Sequence, residues 1–381
     1  MILTSRFPYP LEKGDKLRAY YQIKVLAEHF DVYLISLSEI EVKENWRNEL
    51  EKYCKDINTF KISWFSKWFF AAIQIFSNKP YQVGYFFNPV INKNIKKLLH
   101  EINPDHIYCQ LIRTTEYAKN YHQCTKTIDY MDALSKGVER RIKEAGVFQK
   151  IIFKQEQKRL HSYENTIFEY FEHHTIISEQ DQKYIFHKNK ENIKVVPNGV
   201  AEHYFKELDL PKTYDLIFTG NMSYPPNIEA VKFLTQKILP HLKKETKLLI
   251  SGASPTSEVK SLQNEQVTIS GWVEDIRTSY ASGKIFVAPM FMGTGLQNKL
   301  LESMASGIPS ITTSLANNAL GAQENKAILI AETPEEFINH INHLLEDPIF
   351  YKEIATNGKA FVRKNFDWAN TTQKLIDLIN V

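Results

Sequence analysis

The sequence predicts two doubly wound α/β domains in series. Three observations carry this: a length of 381 residues, short β-branched and aromatic runs alternating with helical patterns, and several of those runs apolar on both faces. One hydrophobic core rarely grows to that length, so two domains are expected. The hydrophobic fraction of 43% and charged fraction of 24% belong to an ordinary globular chain.

Strand-like runs fall at 1–5, 31–37, 58–63, 106–110, 126–130, 173–178 and 193–197, and again at 214–220, 247–252, 267–272, 284–289, 309–313 and 327–331. Asp215-Leu216-Ile217-Phe218 and Ile285-Phe286-Val287-Ala288 are apolar on both faces, as strands of a helix-covered parallel sheet are. Helical patterns lie between them. Residues 16–29 put Leu17, Tyr20, Tyr21, Val25 and Leu26 near one face, and 227–239 opens on Asn227 as a cap. Alternation repeated twice gives two doubly wound units. The seam is expected near Asn198–Leu210, where Pro197-Asn198-Gly199 punctuates the pattern. The expected domains are 1–205 and 206–365, with a C-terminal helix, 366–381, packing back on the first.

Two helical stretches have alternative readings. The charged segment 133–171, with Glu139-Arg140-Arg141, Lys154 and Lys158-Arg159, is a solvated helix pair or a partner-facing surface. In 64–76, Phe65, Phe69, Ala72 and Phe76 fall near one face. Such a stripe is usually core; the alternative is an interfacial helix flanked by Lys67 and Lys79.

A net charge of +3 is too small to make nucleic acid the partner. Cys54, Cys109 and Cys124 form no C-x-x-C pair, and three thiols suggest buried, reduced cysteines. The chain opens on a strand-like run, so no signal peptide is expected. No stretch has the roughly 20 apolar residues of a spanning helix. A cytoplasmic protein is expected, with peripheral contact to the inner membrane face left open.

The string richest in chemistry runs from Ala288 to Pro309. A buried strand ends at Pro289, a loop with Gly293, Thr294 and Gly295 follows, and a helix runs from about Leu296 to Ala305. Glycines let the backbone approach a ligand. The first helical turn suits a diphosphate. Lys299 and Glu302, three apart, share a face; the first would neutralise phosphate and the second accept hydrogen bonds from a ribose diol. The bland reading is a strand–loop–helix joint with surface charges.

The string Gly293-Thr294-Gly295-Leu296-Gln297-Asn298-Lys299-Leu300-Leu301-Glu302, continuing to Pro309, resembles the donor-site signature of the retaining GT-B glycosyltransferases of family four. Phe218-Thr219-Gly220-Asn221-Met222, Gly271-Trp272-Val273-Glu274-Asp275 and Pro197-Asn198-Gly199-Val200 resemble the family's nucleotide loop, base-pocket turn and interdomain joint. Phe7-Pro8 through Arg18 resembles a subgroup of exopolysaccharide-system sugar transferases. The resemblance runs from residue 3 to about 366. It implies the GT-B fold, two Rossmann-like domains facing across a cleft. It also implies a donor site of Gly220, Asn221, Gly271, Trp272, Val273, Gly293, Thr294, Gly295, Leu296, Asn298, Lys299 and Glu302. A nucleotide sugar would be the substrate, a glycan or lipid-linked molecule the acceptor, with no cofactor, metal or nucleic acid. The chain departs from the family in two places. The first Glu of its E-x7-E motif would fall on Thr294, and the Arg and Lys usual after Gly220 are absent.

On the acceptor side, Gly14-Asp15 follows the first strand at its carboxyl edge, where α/β sheets bind ligands. Arg6, Gly14, Asp15, Lys16, Arg18, Arg113 and Asp132 are the acceptor candidates, and Asp15 is also a candidate helix cap. Lys299, Glu302 and Asp15 are the catalytic candidates. Competing readings are a nucleotide-sugar epimerase, a non-catalytic nucleotide-sugar-binding scaffold, and an NAD oxidoreductase; the last lacks its glycine fingerprint after the first strand.

Overall fold

The structure is a computed structural model and describes residues 1–74, 77–144, 146–292 and 296–380. The chain divides into two compact units, Met1–Pro197 with Thr371–Val381, and Asn198–Asn370. The division falls at Pro197, earlier than the expected 205, and again after Asn370. The helix Trp368–Ile379 carries the chain back into the first unit, where Leu375 and Ile376 are buried.

The first unit is built on β1 (Ile2–Thr4), β2 (Tyr33–Ser38), β3 (Asp56–Lys61), β4 (His106–Gln110), β5 (Thr125–Asp129), β6 (His173–Ile176) and β7 (Lys194–Val195), in the order β3-β2-β1-β4-β5-β6-β7. The second holds β8 (Tyr214–Thr219), β9 (Leu248–Ser251), β10 (Val267–Gly271), β11 (Gly283–Ala288), β12 (Ser310–Thr312) and β13 (Leu329–Ile330), in the order β10-β9-β8-β11-β12-β13. Every strand pair is parallel. Strand order reverses between β1 and β4 and between β8 and β11, and ligands of such sheets bind beyond the carboxyl ends at that switch point.

Burial explains the strands. Leu216, Ile217 and Phe218 of β8 and Ile285 to Ala288 of β11 are enclosed on both faces, as only a central strand covered by helices can be. Each of the thirteen runs overlaps a strand, most of them shifted or trimmed by a residue or more at the ends. β7 keeps two residues because Pro197 has no N–H to extend a ladder.

Three local expectations differ from the structure. The helix expected at 227–239 begins earlier, at Pro225, whose fixed φ suits a first helical position. Asn227 is therefore inside the helix and buried rather than a cap. Asp15 is not a cap either: the helix Gly14–Leu26 starts after Lys13, and the Asp15 carboxylate is engaged by Arg6. The aromatic stripe is not core. In the helix Trp64–Ile73 the outward positions are Trp64, Phe65, Trp68, Phe69, Ala72 and Ile73, while Ala71 faces inward. Phe76 of the expected stripe lies outside the described residues.

The charged segment 133–171 forms two helices, Leu134–Glu144 and Val147–Phe168. The second is anchored as well as solvated. Leu160 and Ile167 are buried, and the enclosed Glu164 carboxylate accepts from Ser135 N at 3.0 Å and Ser135 Oγ at 2.6 Å. All three cysteines are free; Cys109 is buried, and Cys54 and Cys124 are half-buried. Among the described residues no helix is long and apolar enough to cross a membrane.

Candidate functional site

At the carboxyl edge of the second sheet, β8 ends at Gly220 and β9 at Gly252, both with positive φ, +156° and +141°. A Cβ on Gly252 would collide with the Gly220 carbonyl oxygen, so the two loops meet backbone against backbone. Gly252 N donates to Gly271 O at 2.9 Å, tying in the end of β10. Gly252→Ala is expected to cost about 2 kcal/mol or more, since strain at positive φ adds to the collision. A urea midpoint unchanged by the substitution would contradict this contact.

Beyond β11 the chain turns through Pro289 to Met292 and enters the helix Asn298–Ala305. Gly293, Thr294 and Gly295 lie outside the described residues. Gln297 stands at the cap position and makes no side-chain hydrogen bond to the first turn. Leu296 and Asn298 are half-buried, and Asn198 Nδ2 approaches Asn298 Oδ1 at 3.4 Å.

The Lys299 side chain runs back under β8. Its Nζ donates to Asn227 Oδ1, lies 4.6 Å from the centre of the Phe218 ring and is 3.8 Å from Met290 Sδ. A Cβ on Gly220 would be 3.3 Å from that nitrogen, so the ammonium lies against the Gly220 loop. Burial lowers the Lys299 pKa to about 7, with Glu302 opposing the shift. One turn on, Glu302 Oε2 accepts from Tyr280 Oη at 2.9 Å, and Tyr204 also donates to this carboxylate. Burial raises the Glu302 pKa to about 7, against the pull of both tyrosines and Lys299. Tyr280 Oη is also 2.8 Å from Thr219 Oγ1, so β8 and this helix share one polar chain.

The remaining donor candidates flank this centre. Asn221 is exposed; its side chain accepts from Ser223 N at 2.9 Å and its carbonyl from Asn227 Nδ2 at 2.8 Å. Gly271 has φ +69°, Trp272 is 68% exposed and Val273 is half-buried. Tyr280 and Tyr204 are site residues that the sequence did not single out; Asn227 was expected only as a helix cap, and Thr219 only as part of the nucleotide-loop string.

The carboxyl edge of the first sheet gathers a second set. Arg6 Nη1 pairs with Asp15 Oδ2 at 2.6 Å, and Gln110 Nε2 donates to Asp15 O at 2.9 Å. Arg6 Nε is buried without a hydrogen-bond partner. Arg113 donates to Gln82 Oε1 at 2.9 Å, and Arg6 and Arg113 lie 5.8 and 5.2 Å from the Phe86 ring centre. Burial, then the nearby Arg6, lowers the Arg113 pKa to about 10. Asp132 is exposed; desolvation of its carboxyl by the surrounding groups, then Asp181 and Asp129, raise its pKa to about 7. Gly14 begins its helix with open space at its Cβ position. Lys16 turns aside, its Nζ 3.4 Å from Tyr9 O and 6.0 Å from the Trp46 ring centre.

Arg18 does not belong to this edge as a ligand group. It is fully enclosed, with Nε 2.7 Å from Asp129 Oδ2 and Nη2 3.2 Å from Asp129 Oδ1. Tyr108 Oη adds a hydrogen bond to Asp129 at 2.7 Å. An ion pair this dry holds the sheet to the helix Gly14–Leu26, and its full burial keeps the guanidinium out of a substrate's reach.

Comparison with known proteins follows the same geometry. Residues 213–347 match the family model described as Glycosyl transferases group 1. This segment is similar to the group 1 glycosyltransferase domain. It contains the Gly220, Gly271 and Lys299–Glu302 loci in one unit. Over almost the whole chain, the protein is 23% identical to an uncharacterized 44.6 kDa protein in the cps region of Klebsiella pneumoniae, covering 96% of each. The fold is similar to sucrose-phosphate synthase from Thermosynechococcus elongatus, with TM-score 0.70, 15% identity, and coverage of 100% of this chain and 98% of that one. It is also similar to Anabaena HepE in complex with UDP, with TM-score 0.69, 14% identity, and coverage of 100% and 99%. These likenesses show the GT-B fold of two Rossmann-like domains. The matched segment and the two switch-point edges thus stand on the fold that the sequence predicts.

Proposed function

We propose that the protein is a retaining hexosyltransferase that moves a sugar from a nucleoside diphosphate onto a glycan or lipid-linked acceptor in surface polysaccharide synthesis. The observation that carries this reading is the placement of Lys299 against the Gly220 loop, one helical turn from Glu302, at the switch point of the group 1 segment. A diphosphate meets there a helix N-terminus and an ammonium. Glu302, steadied by Tyr280 and Tyr204, accepts the hydroxyls of a ribose.

In the proposed reaction the bond from the anomeric carbon to the distal phosphate oxygen breaks, and that oxygen keeps the electron pair. The acceptor hydroxyl bonds to the anomeric carbon from the same face and passes its proton to the leaving phosphate. Lys299 stabilises the charge that grows on the phosphate, and the protein supplies position rather than a nucleophile. In the first unit, Arg6, Arg113, Asp15 and Asp132 would orient the acceptor, with Gly14 leaving room for it and Lys16 at the margin.

Titration calorimetry with UDP-, GDP-, ADP- and dTDP-sugars, followed by a transfer and hydrolysis assay, tests the reading. Binding with turnover supports it, and no binding to any of the four ends it. Binding without turnover favours a nucleotide-sugar-binding scaffold, the reading to which Thr294 points where the family carries a carboxylate. Glu302→Ala is expected to weaken nucleotide affinity about 10- to 100-fold, the worth of one or two hydrogen bonds to a charged group.

Affinity should also depend on pH. Lys299, lowered to about 7, loses its proton as pH rises through that value, and the diphosphate loses its cation. Glu302, raised to about 7, takes up a proton as pH falls, and the ribose loses an acceptor. Nucleotide affinity is therefore expected to peak near neutrality and decline on both sides. A flat calorimetric profile across neutral pH would remove the pair from the binding site.

A further inference from the structure

The helix Trp64–Ile73 presents an apolar face that the fold leaves uncovered. Trp64 is 63% exposed, Phe65 79%, Trp68 54%, Phe69 61% and Ile73 41%, and Ala72 between them is exposed too. These positions recur at the spacing of a single helix face, and no polar side chain interrupts it. The opposite side fixes the helix in place. Lys67 Nζ reaches Glu39 Oε1 at 3.2 Å, and Gln74 is buried. Five large side chains in water on one short helix cost far more than scattered exposure does, and such patches mark interaction sites.

The surroundings say what covers it. From residue 57 to residue 100 the chain has no Asp or Glu and six lysines, Lys61, Lys67, Lys79, Lys93, Lys96 and Lys97. Asn88, the cap of the helix Pro89–Ile102, donates through Nδ2 to Ser66 Oγ at 2.7 Å, which joins that helix to the aromatic one. Its first turns expose Val90, at 70%, together with Lys93, Lys96 and Lys97. On the other flank, Arg159 Nη1 donates to Gln74 O at 2.5 Å and Tyr81 Oη to Gln155 Oε1 at 2.6 Å. These bonds bring in the helix Val147–Phe168, whose exposed Ile151 and Ile152 stand between Lys150 and Lys154. Both acids of that helix are buried, Glu156 on the backbone N–H groups of Tyr81 and Gln82 and Glu164 on Ser135.

We propose that this face is a docking surface for an anionic lipid bilayer, into whose interface the helix Trp64–Ile73 lies flat. Trp and Phe rings favour the boundary between headgroups and acyl chains, and flanking lysines are drawn to anionic headgroups. A protein partner would equally accept the apolar face. Lys67, Lys79 and Lys97 are paired with Glu39, Glu116 and Glu101, but the exposed Lys61, Lys93, Lys96, Lys150 and Lys154 are left to meet an anionic surface. The assignment is independent of the donor site.

Co-sedimentation of the full chain with unilamellar vesicles tests it. One set is phosphatidylcholine alone, the other phosphatidylcholine and phosphatidylglycerol in equal amounts. The chain is expected to partition onto the anionic vesicles, with a blue shift of tryptophan emission, and to be released by high salt. Phe65→Ser combined with Phe69→Ser should lower partitioning about tenfold or more. Lys93→Glu combined with Lys97→Glu should lower it on anionic vesicles only. All four positions are exposed, so melting temperature should not fall, and nucleotide binding should persist. Failure of the chain to bind anionic vesicles at low salt would overturn the proposal. So would binding that survives the double Phe substitution, or a stable dimer in light scattering that this substitution turns into monomer.

Discussion

Lys299→Ala is expected to lower kcat/KM for the sugar donor by about 100- to 1,000-fold, the usual cost of deleting one preorganised group that meets developing charge. The ammonium is held by Asn227 Oδ1, the Phe218 ring and Met290 Sδ before any ligand arrives. Its orientation is thus already set, and little reorganisation remains to be done during the reaction. The effect should fall mainly on kcat, because phosphate charge grows as the glycosidic bond breaks. Lys299→Arg should not restore activity. A planar guanidinium does not fit where a compact ammonium sits between an amide oxygen and a ring. The Asn227→Ala variant gives an independent check: it removes the anchor, keeps the charge, and should retain more activity than Lys299→Ala. If Lys299→Ala transfers sugar at the wild-type rate, the donor-site assignment fails.

Much of the fold was legible from side-chain chemistry alone. Strands such as β8 and β11 are apolar on both faces, a pattern that a central strand covered by helices produces and a half-solvated strand does not. The string from Gly293 to Glu302 placed an ammonium and a carboxylate on one face of one helix, and the structure puts them there. What the sequence hid are the partners that arrive from elsewhere in the chain. Tyr280 reaches Glu302 from the helix Ile276–Ala281, and Asn227 reaches Lys299 from the helix Pro225–Phe233. Neither residue belongs to a local motif; each acquires its role through packing. Asn227 was misleading because Asn near a helix start suits a cap, while the actual start was fixed by two prolines. The aromatic helix shows a second limit. Periodicity defines a face but not what lies opposite it, and here only Tyr85, edge-on to Trp68, meets a face that otherwise stays exposed among the described residues.

Arg18 is the clearest case, because its position in sequence and its position in space point in opposite directions. Three residues after Asp15 in a charged loop region, it reads as a group waiting for an anion. Its partner, Asp129, is 111 residues away and closes on it completely. Both side chains are 0% exposed. Arg18→Ala therefore leaves an ionised carboxylate buried without its cation, and the expected loss of stability is about 3–5 kcal/mol. A surface arginine would cost well under 1 kcal/mol on removal, so the experiment separates the two roles widely. Urea denaturation followed by circular dichroism reads the difference as a lower midpoint at unchanged slope. The double variant Arg18→Met with Asp129→Asn should recover part of the loss, since it removes both charges and keeps an acceptor for Tyr108 and Thr175, whose hydroxyls already point at this group. Recovery in the double variant distinguishes an uncompensated charge from simple loss of packing, which the second substitution would only worsen.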